Sequence, residues 1–157
     1  RAAVADPNAV TIPDYVADTA SWVSTIRAQT GAPCVWLIGH SEGGLVALAS
    51  AGTVEGVCGL VLLATGGRPF GEVIRQQLRA NPANAPVLAA GERAIDELTA
   101  GHRVAPEALP EPLIPVFHPA VQGYLISAMV LDPAKLAVDT ALPMMIVQGG
   151  KDIQVPT

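Results

Sequence analysis

The stretch Cys34-Val35-Trp36-Leu37-Ile38-Gly39-His40-Ser41-Glu42-Gly43-Gly44-Leu45-Val46-Ala47-Leu48-Ala49 decides how this chain is read. Its first third shows no polar alternation. A strand buried on both faces, in a parallel sheet covered by helices, has this pattern. Its last third reads as a short apolar helix, closed by Ala51-Gly52-Thr53. Between the two, Gly39-His40-Ser41-Glu42-Gly43 fits G-x-S-x-G, and the strand before and helix after lift that motif above chance. A serine on so tight a turn occupies a strained backbone conformation. The turn exposes the Ser41 hydroxyl at the carboxyl end of the strand, where ligands bind in open α/β sheets. Side chains at 39 and 43 would collide with neighbouring backbone, so Gly39 and Gly43 are both expected as steric requirements. The N–H of Glu42, at the helix N-terminus, is free to donate to an oxyanion. A phosphate loop is the competing chemistry, but no G-x-x-x-x-G-K-[ST] occurs and residues 39–44 do not fit G-x-G-x-x-G.

Working outward, the first ten residues read as a loop around Asp6-Pro7-Asn8. Thr11-Ile12-Pro13-Asp14 then has a capping residue, a first-turn proline and a first-turn acid, which predicts a helix start. Tyr15, Thr19, Trp22 and Ile26 form one stripe at helical spacing, with Val16, Ala20 and Val23 beside it, and Gly31 supplies a left-handed cap. Downstream, residues 57–64 are a second all-apolar strand. Residues 66–135 change character. Short helices are expected at 72–80, 92–100 and 120–130, punctuated by Pro82, Pro86, Pro106, Pro110, Pro112, Pro115 and Pro119. Pro143-Met144-Met145-Ile146-Val147-Gln148 is a third apolar strand, its methionines read as core filler, running into Gly149-Gly150-Lys151-Asp152. The alternation of helix and strand predicts an α/β fold: a parallel sheet with flanking helices, formed by 1–65 and 136–157, with 66–135 as a helical insertion.

Asp152 is the second candidate. A carboxylate at the carboxyl end of a parallel strand is placed to orient a histidine and stabilise its charged form. A serine hydroxyl needs such a base, and the order in this fold class is serine, then acid, then histidine. No histidine follows Asp152. His40, beside Ser41, reads as packing under the turn; His102 as a solvent-facing helix end; His118 as packing within the insertion. The base is therefore expected outside this sequence. Arg1 without a leading Met, and the stop at Val155-Pro156-Thr157, agree with an incomplete α/β core.

Composition limits the remaining classes. Of 157 residues, 50% are hydrophobic and 15% charged, against about 25% charged in average globular chains. A disordered chain lacks that much apolar surface. Nine Lys and Arg against fourteen Asp and Glu give a net charge of −5 and no basic stripe, so no nucleic-acid partner is expected. No apolar run reaches the ~18 residues of a membrane span. Cys34 and Cys58 are too few for a disulfide framework or zinc site; they read as small core residues, and a disulfide between them needs specific geometry. No metal-ligand spacing occurs, and no cofactor is expected. The compartment is not encoded in these features.

Together Gly39-His40-Ser41-Glu42-Gly43-Gly44, Leu60-Val61-Leu62-Leu63-Ala64 and the run from Pro143 through Asp152 to Pro156 resemble the alpha/beta-hydrolase superfamily, in particular its lid-bearing serine esterases and serine aminopeptidase-like members. The resemblance implies Ser41 as nucleophile, Asp152 as triad acid, the Glu42 N–H as an oxyanion donor, and residues 66–135 as a helical lid over an acyl pocket. It implies hydrolysis of small-molecule esters through an acyl-serine intermediate, with amides or peptides as a variant. The alternative is an inactive hydrolase-fold fragment or a module binding a small apolar ligand. A sheet of three strands would leave a bare apolar edge, and either marginal stability or self-association through that edge is expected.

Overall fold

The computed structural model describes residues 6 and 9–155. The loop expected over the first ten residues falls largely outside them, as do Pro156 and Thr157. Among the described residues the chain runs α1 (Ile12–Thr30), β1 (Val35–His40), α2 (Glu42–Ala51), β2 (Val57–Leu63), α3 (Phe70–Ala80), α4 (Leu88–Thr99), α5 (Ile114–Phe117), α6 (Gln122–Met129), α7 (Pro133–Asp139) and β3 (Met144–Val147). It divides into two compact units: 12–68 with 132–155, and 69–131 with the described residues before 12.

The first unit carries the sheet. Its strands are all parallel in the order β1-β2-β3, so the α/β fold class holds. Gly31 closes α1 at φ +72°, its N–H donating to the Arg27 carbonyl at 2.9 Å. The core holds Val23 of α1, Ala47 and Leu48 of α2, and Val57, Leu60 and Leu62 of β2, with Leu136 and Ala137 of α7 packed against it. The line of α1 that faces this core is Val16, Ala20 and Val23. The adjacent stripe of Tyr15, Trp22 and Ile26 remains exposed.

Helix α2 packs on β1 and β2 and also meets α1 and α7, so the three helices share one face of the sheet. The other face is open: Trp36 is 50% exposed, Ile38 69% and Met145 59%. This corrects the expectation of strands buried on both sides. Only central β2 keeps its outward residues half-buried. Of the methionine pair, Met144 packs into the core and Met145 does not. The Trp36 ring lies across Gly59, where a Cβ would come within 2.4 Å of it. Cys34 and Cys58 are joined in a disulfide, Cα to Cα 5.1 Å, where the chain enters β1 and β2. They are thus a covalent staple and not two independent core residues.

The second unit is helical, with a core of Ile74, Leu78, Ile95, Leu98, Leu113 and Phe117 among others. Ion pairs Arg75–Asp96 (2.8 Å) and Arg79–Glu92 link α3 to α4. Gln122 is buried yet satisfied. Its amide accepts from Val104 N–H at 2.9 Å and donates to the Val104 and Phe117 carbonyls, each at 2.8 Å. That removes the cost of burying an unpaired amide. The three expected helices are present with shifted ends. Helices α5 and α7 were not expected, because Pro115 and Pro133 stand in the first turn of a helix, where a missing N–H costs nothing. Asp132 caps α7 by accepting from the N–H groups of Ala134 and Lys135.

Candidate active site

Because the strands are parallel, their carboxyl ends lie at one end of the sheet, with His40, Leu63 and Val147 in register. The ladder runs one step further: Ser41 N–H donates to the Leu63 carbonyl (2.8 Å) and Ala64 N–H to that of Val147 (2.9 Å). Ser41 thus hangs from β2 while α2 begins at Glu42. Its backbone sits at φ 52°, ψ −121°, and its hydroxyl makes no capping bond to α2. A positive φ at a residue bearing a Cβ costs about 1–3 kcal/mol and is held only by surrounding structure.

Here that structure is a set of close backbone approaches. A Cβ at Gly39 would stand 2.4 Å from the Gly43 carbonyl oxygen and 2.6 Å from the Gly44 nitrogen, against backbone that cannot swing away. Gly44 lies flush on Thr65, whose Oγ1 would be 1.9 Å from an added Cβ. Gly43 has nothing within 4 Å. The steric requirement expected at Gly43 therefore falls on Gly44, one residue on, because the first turn of α2 points position 43 outward and position 44 toward β2. Ala64, beside Ser41 in the ladder, also has a positive φ of 48°. Nothing in the sequence marks it, since alanine carries no conformational signature of its own.

Glu42 opens α2, so its N–H belongs to the first turn, whose donors have no partner within the helix. His40 is exposed. It does not pack beneath the turn, because even-numbered residues of β1 point to the open face of the sheet. Within the helical unit, His102 Nδ1 lies 3.1 Å from Glu97 Oε2, and His118 Nδ1 accepts from Ala120 N–H at 3.1 Å as a cap. Among the described residues no group of three or more His, Cys, Asp or Glu side chains is arranged to hold a metal ion.

Asp152 stands five residues beyond β3, on a loop leaving the same end of the sheet. Its N–H donates to the Gly149 carbonyl (3.0 Å). Oδ1 accepts from the N–H groups of Gln154 (2.9 Å) and Val155 (3.0 Å), and Oδ2 from Gln148 Nε2 (3.2 Å). These contacts hold the carboxyl below its ordinary pKa. The Val155 N–H contributes most, then that of Gln154; partial burial opposes them, and the Gln148 amide and the charge of His40 add smaller pulls in the same direction. Strands β1 and β3 are two spacings apart, about 10 Å.

The sequence pattern of the alpha/beta hydrolase family matches residues 4–156. The chain belongs to the alpha/beta hydrolase family. Two solved structures share the fold, both from Mycobacterium tuberculosis. Rv0554 aligns at TM-score 0.54 and 20% identity, over 94% of this chain and 57% of its own. BpoC of strain H37Rv, named as a candidate non-heme bromoperoxidase, aligns at TM-score 0.54 and 20% identity, over 94% of this chain and 59% of its own. This chain thus spans less than two thirds of either hydrolase-fold structure. No curated protein matches it. Within the hydrolase frame, the serine turn and the aspartate loop belong to the sheet unit alone.

Proposed function

We propose that the protein is a serine hydrolase of carboxylic esters, with Ser41 as nucleophile, Asp152 as triad acid and the Glu42 N–H as one oxyanion donor. The observation that carries this reading is the backbone of Ser41: positive φ, braced by Gly39 and Gly44, with a hydroxyl not spent on capping the helix behind it. Ser41 Oγ attacks the ester carbonyl carbon and its proton passes to a histidine base. The negative oxygen is met by the Glu42 N–H. Collapse of the tetrahedral species breaks the bond to the alcohol, which takes the proton from the histidine. Water then repeats the sequence on the acyl-serine and releases the acid. Asp152, ionised and held on both oxygens, orients the imidazole and stabilises its cation. We assign the base to a histidine outside residues 1–157, since His102 and His118 are engaged in local contacts and His40 adjoins the nucleophile on the strand. Amide hydrolysis is the variant of the same chemistry, and apolar acyl groups of medium length are the expected substrates.

The test uses the protein expressed from its complete gene and a series of p-nitrophenyl esters. Turnover with a burst of p-nitrophenol, an acyl adduct mapped to Ser41, and a loss in Ser41→Ala of at least about 10³-fold in kcat support the reading. Absence of turnover and adduct with folded protein overturns it in favour of a module that binds a small apolar ligand.

A further inference from the structure

Gln148 is the first residue after β3, and its amide nitrogen is used twice. One contact is to Asp152 Oδ2 at 3.2 Å and the other to the Val155 carbonyl oxygen. A side-chain amide has two N–H donors, so both are spent inside this loop. The two backbone N–H groups hold Oδ1, and rotation about Cβ–Cγ moves both oxygens together. The contact to Oδ2 restrains the same plane from the other oxygen. It comes from a neutral donor, so it favours the ionised form without adding a charge that would compete for the carboxylate. It also leaves Oδ2 a second lone pair. The other charged groups around Asp152 are His40 on β1, whose charge reaches the carboxyl, and Lys151, its neighbour in the chain.

From this geometry we propose that Gln148 is a positioning residue: it braces the second oxygen of the Asp152 carboxylate, while its second N–H locks the loop from 148 to 155. The role in catalysis rests on the serine hydrolase reading; the coupling between the two side chains does not. A methionine at 148 keeps the length and loses both donors. A glutamate keeps the shape and sets a second negative charge against Asp152.

Two measurements on the full protein decide the matter. By NMR, the Asp152 carboxyl carbon is titrated in the wild type, Gln148→Met and Gln148→Glu, with His40→Gln as the control for the charge on β1. The midpoint rises in Gln148→Met and rises further in Gln148→Glu. In the wild type the side-chain amide protons of Gln148 shift with the Asp152 midpoint, a readout that needs no variant to fold. In ester turnover, kcat of Gln148→Met falls about tenfold with KM held within twofold. A wild-type Asp152 midpoint in Gln148→Met, or Gln148 protons blind to the titration, overturns the proposal even if kcat falls. If the titrations couple as stated but the protein turns over no ester, the hydrolase reading fails and the Gln148–Asp152 coupling stands.

Discussion

The helical unit closes on itself and the sheet unit does not. In the helical unit, Phe117 and Leu98 are wholly buried, Gln122 is satisfied on all its contacts, and the only positive φ among the described residues is at a glycine, Gly101. In the sheet unit, one face carries three helices while Trp36, Ile38 and Met145 lie open on the other. The positive φ values at residues with a Cβ, Ser41 and Ala64, both occur at its strand ends. Helices satisfy their backbone locally and need only one apolar face covered. A sheet has two faces and two edges to account for. Strain has therefore collected where the catalytic candidates are, in the unit whose sheet has an open face.

That contrast can be broken most directly by truncation in each unit. Phe117→Ala removes a fully buried ring and is expected to cost about 3–5 kcal/mol in urea unfolding. Ile38→Ala on the open sheet face is expected to stay within about 0.5 kcal/mol, and equal losses would show that the face is covered. Next in size is the staple. The Cys34–Cys58 bridge closes 24 residues that include the serine turn, and Cys58→Ser should lower the stability of the sheet unit by about 3 kcal/mol. Dithiothreitol should reproduce the loss in the wild type and add nothing in the variant. Smaller again are two mirror-image backbone changes. Ala64→Gly relieves a left-handed alanine and is expected to gain about 0.5–1 kcal/mol, whereas Gly101→Ala creates one and is expected to lose about 1 kcal/mol. The smallest effect is in pH. Because the Asp152 pKa is depressed on folding, its contribution is complete above the unfolded value of about 3.9 and is lost as pH falls through the folded value. The melting-temperature gap between the wild type and Asp152→Asn should narrow below pH 4; a gap unchanged from pH 6 to pH 2 contradicts the contacts drawn to its carboxylate.

Much of the fold was legible because its signals are local. The strand-turn-helix around Ser41 reads directly from an apolar run broken by small residues, and the Gly31 cap from a helical stripe that stops. Pro115 of the helical unit misled for an equally local reason: it begins a helical turn where a broken chain was expected. What could not be read depends on partners distant in sequence. An apolar strand has the same composition whether one face or two are covered, so the exposure of Ile38 and Met145 was hidden. Whether Gly43 or Gly44 bears the steric load depends on Thr65, about twenty residues away, and two cysteines look alike paired or unpaired. At the candidate site, Ser41, Glu42 and Asp152 stand out by type and position. Gln148 carries no such mark, since an amide at a strand end is ordinary until its two donors are located.

The central claim is that a backbone turn, held by close approach at Gly39 and not at Gly43, presents Ser41 as a nucleophile. Fluorophosphonate labelling of Ser41 in the full protein, compared among the wild type, Gly39→Ala and Gly43→Ala, tests it most directly. Labelling should fall by about 100-fold or more in Gly39→Ala, as expected when a catalytic group is displaced, and remain near wild type in Gly43→Ala. Equal labelling in the two variants, or a probe that leaves Ser41 untouched in the wild type, would contradict it.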